Sequence, residues 1–140
     1  MLLDLDTNNV IRQRSSSNRS DSEGCTDGSI SRANLTAWDG DLVGLTACWS
    51  SINASIPIRL WYASDNETFE EYLWFAERDE WVRQPSWDGY SVAAGVGFHT
   101  GAGFNTYVGM VNTRNELKFF YQRTAGEDLS NWQEGKFADT

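Results

Sequence analysis

A short motif written twice constrains this chain most. Ala37-Trp38-Asp39-Gly40 returns 49 residues on as Ser86-Trp87-Asp88-Gly89. The same spacing carries Asn66-Glu67 onto Asn115-Glu116 and Tyr72 onto Tyr121, and lays the apolar run Leu42–Trp49 over Ser91–Phe98. Trp81 returns as Trp132 at a spacing of 51, which predicts a small insertion around Thr124–Asn131. A chain that repeats at this period builds one supersecondary unit several times and buries each unit against its neighbours.

The unit is made of strands. Ile58, Leu60 and Tyr62 alternate with Arg59, Trp61 and Ala63, the period of two that a pleated strand requires. Asp65-Asn66 then punctuates, and Thr68–Phe75 is rich in the aromatic residues that strands favour. Four strands are predicted in the first copy: Leu42–Trp49, Pro57–Ser64, Thr68–Glu77 and Glu80–Gln84. Four are predicted in the second: Ser91–Phe98, Asn105–Asn112, Glu116–Arg123 and Trp132–Phe137. No helical period survives over 37–140. Four short strands per unit of about 40–50 residues mark a β-propeller blade.

The N-terminus carries a remnant of the same unit. Asn8-Asn9-Val10-Ile11 matches Asn66-Glu67-Thr68-Phe69 at a spacing of 58. On that alignment Asn9–Arg14 and Gly28–Leu35 are the last two strands of a blade, with Ser15–Gly28 as a loop between them. The expected organisation is all-β: a partial blade with a Ser-rich loop at 1–36, a complete blade at 37–86 and a complete blade at 87–140. That is about two and a half blades of four antiparallel strands, and a propeller needs at least four. Such a chain is either part of a longer propeller or a protomer that completes its ring by homo-oligomerisation.

Composition narrows the chemistry. Twenty acidic residues against eleven basic ones give a net charge of −9, which argues against nucleic acid and anionic membrane surfaces as partners. No run of about 18 apolar residues exists, so no membrane insertion is expected. MLLDLDTNN lacks the basic start and apolar core of a signal peptide, which points to a cytoplasmic or non-classically secreted protein. The four sequons, at Asn18, Asn34, Asn53 and Asn66, matter only in a secretory pathway. With one histidine and two cysteines there is no metal-ligand spacing, no nucleophile–base pair and no call for a cofactor. Cys48 is expected as a buried strand thiol and His99 as a solvated loop residue.

The order Leu45-Thr46-Ala47-Cys48-Trp49, Ile58-Arg59-Leu60-Trp61-Tyr62, Glu71-Tyr72-Leu73-Trp74 and Trp81 resembles the blades of the fungal fucose-specific lectins of the Aleuria type. Their blades read as an apolar strand ending in Trp, then I-R-V-Y-Y, a turn, E-Y-x-W and a closing W-x-x-G. Arg59 and Glu71 also keep the family's spacing of about twelve. The resemblance covers about 40–140 well and 7–36 weakly. It implies a six-bladed propeller that binds fucose-containing glycans in pockets between blades. It implies Arg59, Glu71 and Trp81 as the fucose-binding residues, with a further aromatic from the neighbouring blade, and no catalytic residue.

The residue types suit such a ligand. A sugar presents hydroxyls in fixed directions and one apolar C–H face. Charged partners make the stronger hydrogen bonds, and an indole covers the C–H face with little side-chain entropy to lose. The repeat spacing maps Arg59 onto Val108 and Glu71 onto Phe120, so the second copy is expected to hold a degenerate site. Glu71 maps onto Gln13 in the remnant. Two alternatives stay open: a degenerate propeller that serves as a protein-interaction scaffold, and a propeller glycosidase using Glu70, Glu71, Asp79 or Glu80. Adjacent strand residues face apart, so Glu70 and Glu71 cannot flank one bond.

Overall fold

The computed structural model describes residues 2–16, 25–39, 46–48, 58–75, 78–100, 105–123 and 132–136. Three antiparallel sheets account for most of them. The first joins β1 (Leu2–Leu5), β2 (Ile11–Ser16) and β3 (Cys25–Asp27) in that order, and a one-turn helix α1 (Ser29–Ala33) follows. The second runs β4 (Thr46–Cys48), β5 (Ile58–Ala63), β6 (Thr68–Phe75), β7 (Glu80–Arg83), and β8 (Trp87–Asp88) joins the start of β6 beyond the end of β7. The third runs β9 (Val96–Thr100), β10 (Asn105–Val111), β11 (Leu117–Arg123), β12 (Gln133–Glu134). This is the meander of blade-like sheets that the repeat predicts.

The hairpin turns fix a common frame. Asp6 N–H bonds Val10 O at 3.0 Å, Ser64 N–H bonds Thr68 O at 3.1 Å, and Asn112 N–H bonds Glu116 O at 2.9 Å. Short polar side chains tie each turn: Asp6 Oδ1 accepts from Asn8 and Val10, Asp65 Oδ1 from Glu67, and Asn112 Oδ1 from Arg114 and Glu116. Asn9 and Asn115 take the left-handed conformation, φ 61° and 64°, that asparagine tolerates. Equivalent positions are therefore Asp6, Ser64 and Asn112: 58 residues from the first sheet to the second, and 48 from the second to the third.

That second spacing corrects the sequence alignment. It places Tyr107 and Phe119, not Val108 and Phe120, at the positions of Arg59 and Glu71. A slip of one residue turns every side chain to the opposite face of a sheet. The repeated Trp-Asp-Gly words are not equivalent either. Ala37 N–H bonds Asn9 O and Gly89 N–H bonds Glu67 O, so Trp38 corresponds to Tyr90 rather than to Trp87.

Each seam between sheets is packed with apolar side chains. Ile11, Ile30, Ala37, Leu60 and Tyr62 fill the first seam, with Leu3, Leu5, Tyr72 and Trp81 against them. Trp61, Ala63, Phe69, Val92, Val108 and Met110 fill the second, with Trp87, Tyr90, Phe120 and Trp132 against them. The period of two explains the division: Leu60 and Tyr62 look back to the first sheet, and Trp61 and Ala63 look forward to the third.

Several expectations change. The first sheet has three strands rather than two, because Leu2–Leu5 pairs with β2. Gly28–Leu35 contains α1 rather than a strand, with Ile30 and Ser31 buried beneath it. Cys25 lies in β3, inside the stretch read as a loop. Ser91–Phe98 splits into a 3-10 turn at Val92–Ala94 and β9. His99 sits within β9, opposite Tyr107, and not in a loop. The predicted strand Leu42–Trp49 is described only at Thr46–Cys48, and the burial of the Cys48 thiol lies outside the described residues. Among the described residues no helix is long and apolar enough to cross a membrane, and no group of three metal-ligating side chains occurs.

Candidate functional site

The second seam encloses a charged pair. Arg59 on β5 and Glu71 on β6 project from the same face of the second sheet as diagonal neighbours, two residues out of direct register, since Arg59 opposes Leu73 and Trp61 opposes Glu71. Arg59 is 3% exposed and Glu71 1%. Arg59 Nη1 donates to Glu71 Oε1, and Arg59 Nη2 donates across the seam to Gln122 Oε1 on β11. The other carboxylate oxygen accepts two indole N–H groups, from Trp87 at 3.3 Å and from Trp132 at 3.2 Å. The Arg59 guanidinium also lies over the Trp132 ring, 5.0 Å from its centroid.

Aromatic walls complete the site. Trp61 packs on Trp87 with ring centroids 5.0 Å apart and meets Trp132 edge-on at 6.1 Å. Phe120 meets Trp87 edge-on at 5.0 Å. Two fixed charges with directional donors and acceptors thus sit beside three indole faces. Burial raises the Glu71 carboxyl above the ordinary glutamate value, and Arg59, Trp87 and Trp132 draw it back down.

The structure brings Arg59 and Glu71 together and leaves Trp81 out. Trp81 opposes Trp74 on the other face of the second sheet, and its indole N–H donates to Gln13 Oε1 in the first seam at 2.9 Å. It does there what Trp132 does for Glu71 in the second seam. The reason is parity: residues opposite Trp74 cannot face the way Glu71 faces. Trp87, Gln122 and Trp132 are the seam residues that sequence reasoning missed as partners. The spacing of 51 from Trp81 to Trp132 was the available signal, because it makes the two indoles equivalent and each one's sheet the backing of the preceding sheet's site. Nothing in the sequence singled out Gln122. Val108, read as an idle counterpart of Arg59, is fully buried in this seam.

The first seam holds the neutral counterpart. Gln13, equivalent to Glu71 at the 58-residue spacing, is 2% exposed. Its Oε1 also accepts from Ile30 N–H at 3.2 Å, and Ser31 Oγ bonds its backbone N–H and C=O at 2.7 and 3.1 Å. Helix α1 therefore fills the space beside Gln13. Glu70, on the face opposite Glu71, pairs with Arg83 at 2.9 Å and takes no part in the second seam.

Comparison with known proteins returns the fold. No family model matches the chain, and no curated protein does. Among solved structures, the lectin of Aleuria aurantia, described as a six-bladed β-propeller with a novel fucose recognition mode, superposes with a TM-score of 0.65 at 18% identity. A mutant of the same lectin in complex with α-methyl-L-fucoside gives 0.66 at 18%. A triple-arginine mutant of AofleA from Arthrobotrys oligospora gives 0.61 at 14%. Each match covers 96% of this chain, but the chain spans only 40% of the first of these lectin structures and 38% of the last. The chain has the propeller fold of these fungal lectins.

Proposed function

We propose that this chain is a carbohydrate-binding propeller segment that recognises fucose or fucosylated glycans at the seam between its second and third sheets. One observation carries the reading: a buried Arg59–Glu71 pair lies in an aromatic wall where apolar residues would pack as well. Burying an ion pair commonly adds no stability over an apolar replacement of the same volume, so such a pair asks for another role. Guanidinium donors, carboxylate acceptors and indole faces are the groups that hold sugar hydroxyls and a C–H face. The fold shared with fucose-binding lectins supports the same class of ligand. On this reading Arg59 and Glu71 exchange protein partners for sugar hydroxyls, and Trp87 and Trp132 flank the ring. The division of the chain near residues 36 and 86 into a partial and two complete blades belongs to the same proposal.

The chemistry is binding rather than catalysis. Glu70 and Glu71 point to opposite faces, Asp79 lies on an exposed turn and Glu80 is exposed at the start of β7, so none of these carboxylates partners Glu71 across a scissile bond. A second reading has its own support. Arg59 and Glu71 already have protein partners in Gln122, Trp87, Trp132 and each other, which would serve a scaffold that latches sheets together. Calorimetric titration with fucose separates the two. Saturable binding that Arg59→Ala abolishes is expected. Absence of heat with fucose and with fucosylated oligosaccharides favours the scaffold, and release of free sugar would make the protein a hydrolase.

A further inference from the structure

We infer that Gln122 is an internal competitor for the sugar: its side-chain carbonyl occupies the Arg59 donor that a sugar hydroxyl takes on binding, and so sets the affinity of the second seam. The inference rests on the sugar reading above and concerns how that same site is closed. Arg59 offers donors in a rigid planar fork and no acceptor. Its Nη1 donates to Glu71 on the neighbouring strand, and its Nη2 donates to Gln122 Oε1 on β11 of the next sheet. Arg59, Glu71 and Gln122 are 3, 1 and 2% exposed. A ligand therefore reaches the guanidinium only by displacing a group that covers it.

The covering groups differ in what their displacement costs. Glu71 is charged and is held by Trp87 and Trp132 as well as by Arg59, so moving it strands a buried charge. The Trp132 ring beneath the guanidinium is packed against Trp61 and Trp87, with centroids 6.1 and 5.6 Å away. Gln122 is neutral and flexible, and its bond is the one a sugar can copy: an uncharged oxygen accepting from a guanidinium N–H. Exchanging one for the other leaves the Arg59–Glu71 pair intact. The amide is also particular to this seam. At the 48-residue spacing Gln122 is equivalent to Trp74, which packs on Trp81 in the first seam with centroids 6.3 Å apart. Of the two described seams, the one with the guanidinium carries an amide opposite it, and the other carries an indole. A site that binds only when Gln122 has turned away is competent for a fraction of the time, and its apparent affinity falls by that fraction.

Calorimetry with fucose on the wild-type chain, Gln122→Met and Gln122→Glu tests this. Met keeps the length of the side chain and removes the acceptor, so affinity is expected to rise by about tenfold, the size of a hydrogen bond to a charged group. Glu makes the contact an ion pair, so affinity is expected to fall. A Gln122 that contacted the sugar itself would give the reverse for Met, and one that only held the sheets together would change the melting temperature without raising affinity. Weaker or equal binding by Gln122→Met therefore overturns the inference while leaving the sugar reading in place, as does a Gln122→Glu chain that binds as tightly as wild type. No heat from any of the three chains, Gln122→Met included, removes the sugar reading and this inference with it. Should Gln122→Met fail to fold by circular dichroism, Gln122→Asn, one methylene shorter, is expected to show the same rise, and its absence overturns the inference.

Discussion

Glu71 is the residue on which the candidate site turns. Desolvation lifts its carboxyl in the folded chain, and the Arg59 charge with two indole donors opposes the lift without cancelling it. A carboxyl with a raised folded-state pKa contributes stability below its unfolded value and loses it as pH rises through the folded value. Glu71→Gln removes that dependence while keeping an acceptor for the indoles. The melting-temperature difference between wild type and Glu71→Gln is therefore expected to move in the variant's favour as pH rises above the ordinary glutamate value. A difference that stays flat from acid to neutral pH contradicts the burial argument. Asp6 has the opposite sign: hydrogen bonds from Val10, Arg12 and Asn8 hold its carboxyl low, so its contribution is lost on acidification. In sugar binding, Glu71→Gln gives up a charge-assisted acceptor, worth about 1.5–3 kcal/mol or roughly tenfold to a hundredfold in affinity. Calorimetry reads that loss directly, and Arg59→Ala is expected to lose as much or more.

At the scale of the element, the helix α1 and the β-hairpins decide which seam is filled. Gly28 stands at the entry to α1, where an added Cβ would lie 2.1 Å from Gln13 Cδ. Gln13 cannot swing aside without releasing Trp81 and Ile30. Gly28→Ala is expected to destabilise the chain by about 1–3 kcal/mol, the range of an overpacked core, and chemical denaturation checks it. The strands themselves were legible from alternation and turn residues: β5, β6, β7, β10 and β11 lie within a residue or two of their expected bounds. Two features were not. Helix α1 is too short for a 3.6-residue period to show, and its Ser and Arg residues read equally as a strand. The third-sheet register was lost because matching Asn-Glu pairs and Trp-Asp-Gly words sit one to three positions away from true equivalence. That small error turned Val108 and Phe120 from lining the Arg59 seam into spectators. Val108→Thr buries a hydroxyl within the apolar cluster of the second seam and is expected to cost about 1–3 kcal/mol.

For the whole molecule, the two seams are built on one plan and filled with different chemistry. Each places an indole N–H from the following sheet on a side-chain oxygen of the preceding one: Trp81 on Gln13, and Trp132 on Glu71. The second seam adds a cation at Arg59 and a second indole at Trp87; the first adds α1, which delivers Ile30 N–H and the Ser31 hydroxyl to the same place. The third sheet's own outward face carries Tyr107 and Phe119 where Arg59 and Glu71 would stand, and so lacks both charges. Among the described residues the second seam alone joins both charges to indole faces, and calorimetry is expected to saturate at one fucose per chain. Converting Gln13 to Glu restores the carboxylate but supplies no guanidinium and leaves α1 in place. The stoichiometry of that variant is expected to remain one, while the uncompensated buried charge lowers its melting temperature at neutral pH. A second saturating site in Gln13→Glu would mean that a carboxylate and an indole suffice, and that Arg59 is not what distinguishes the second seam.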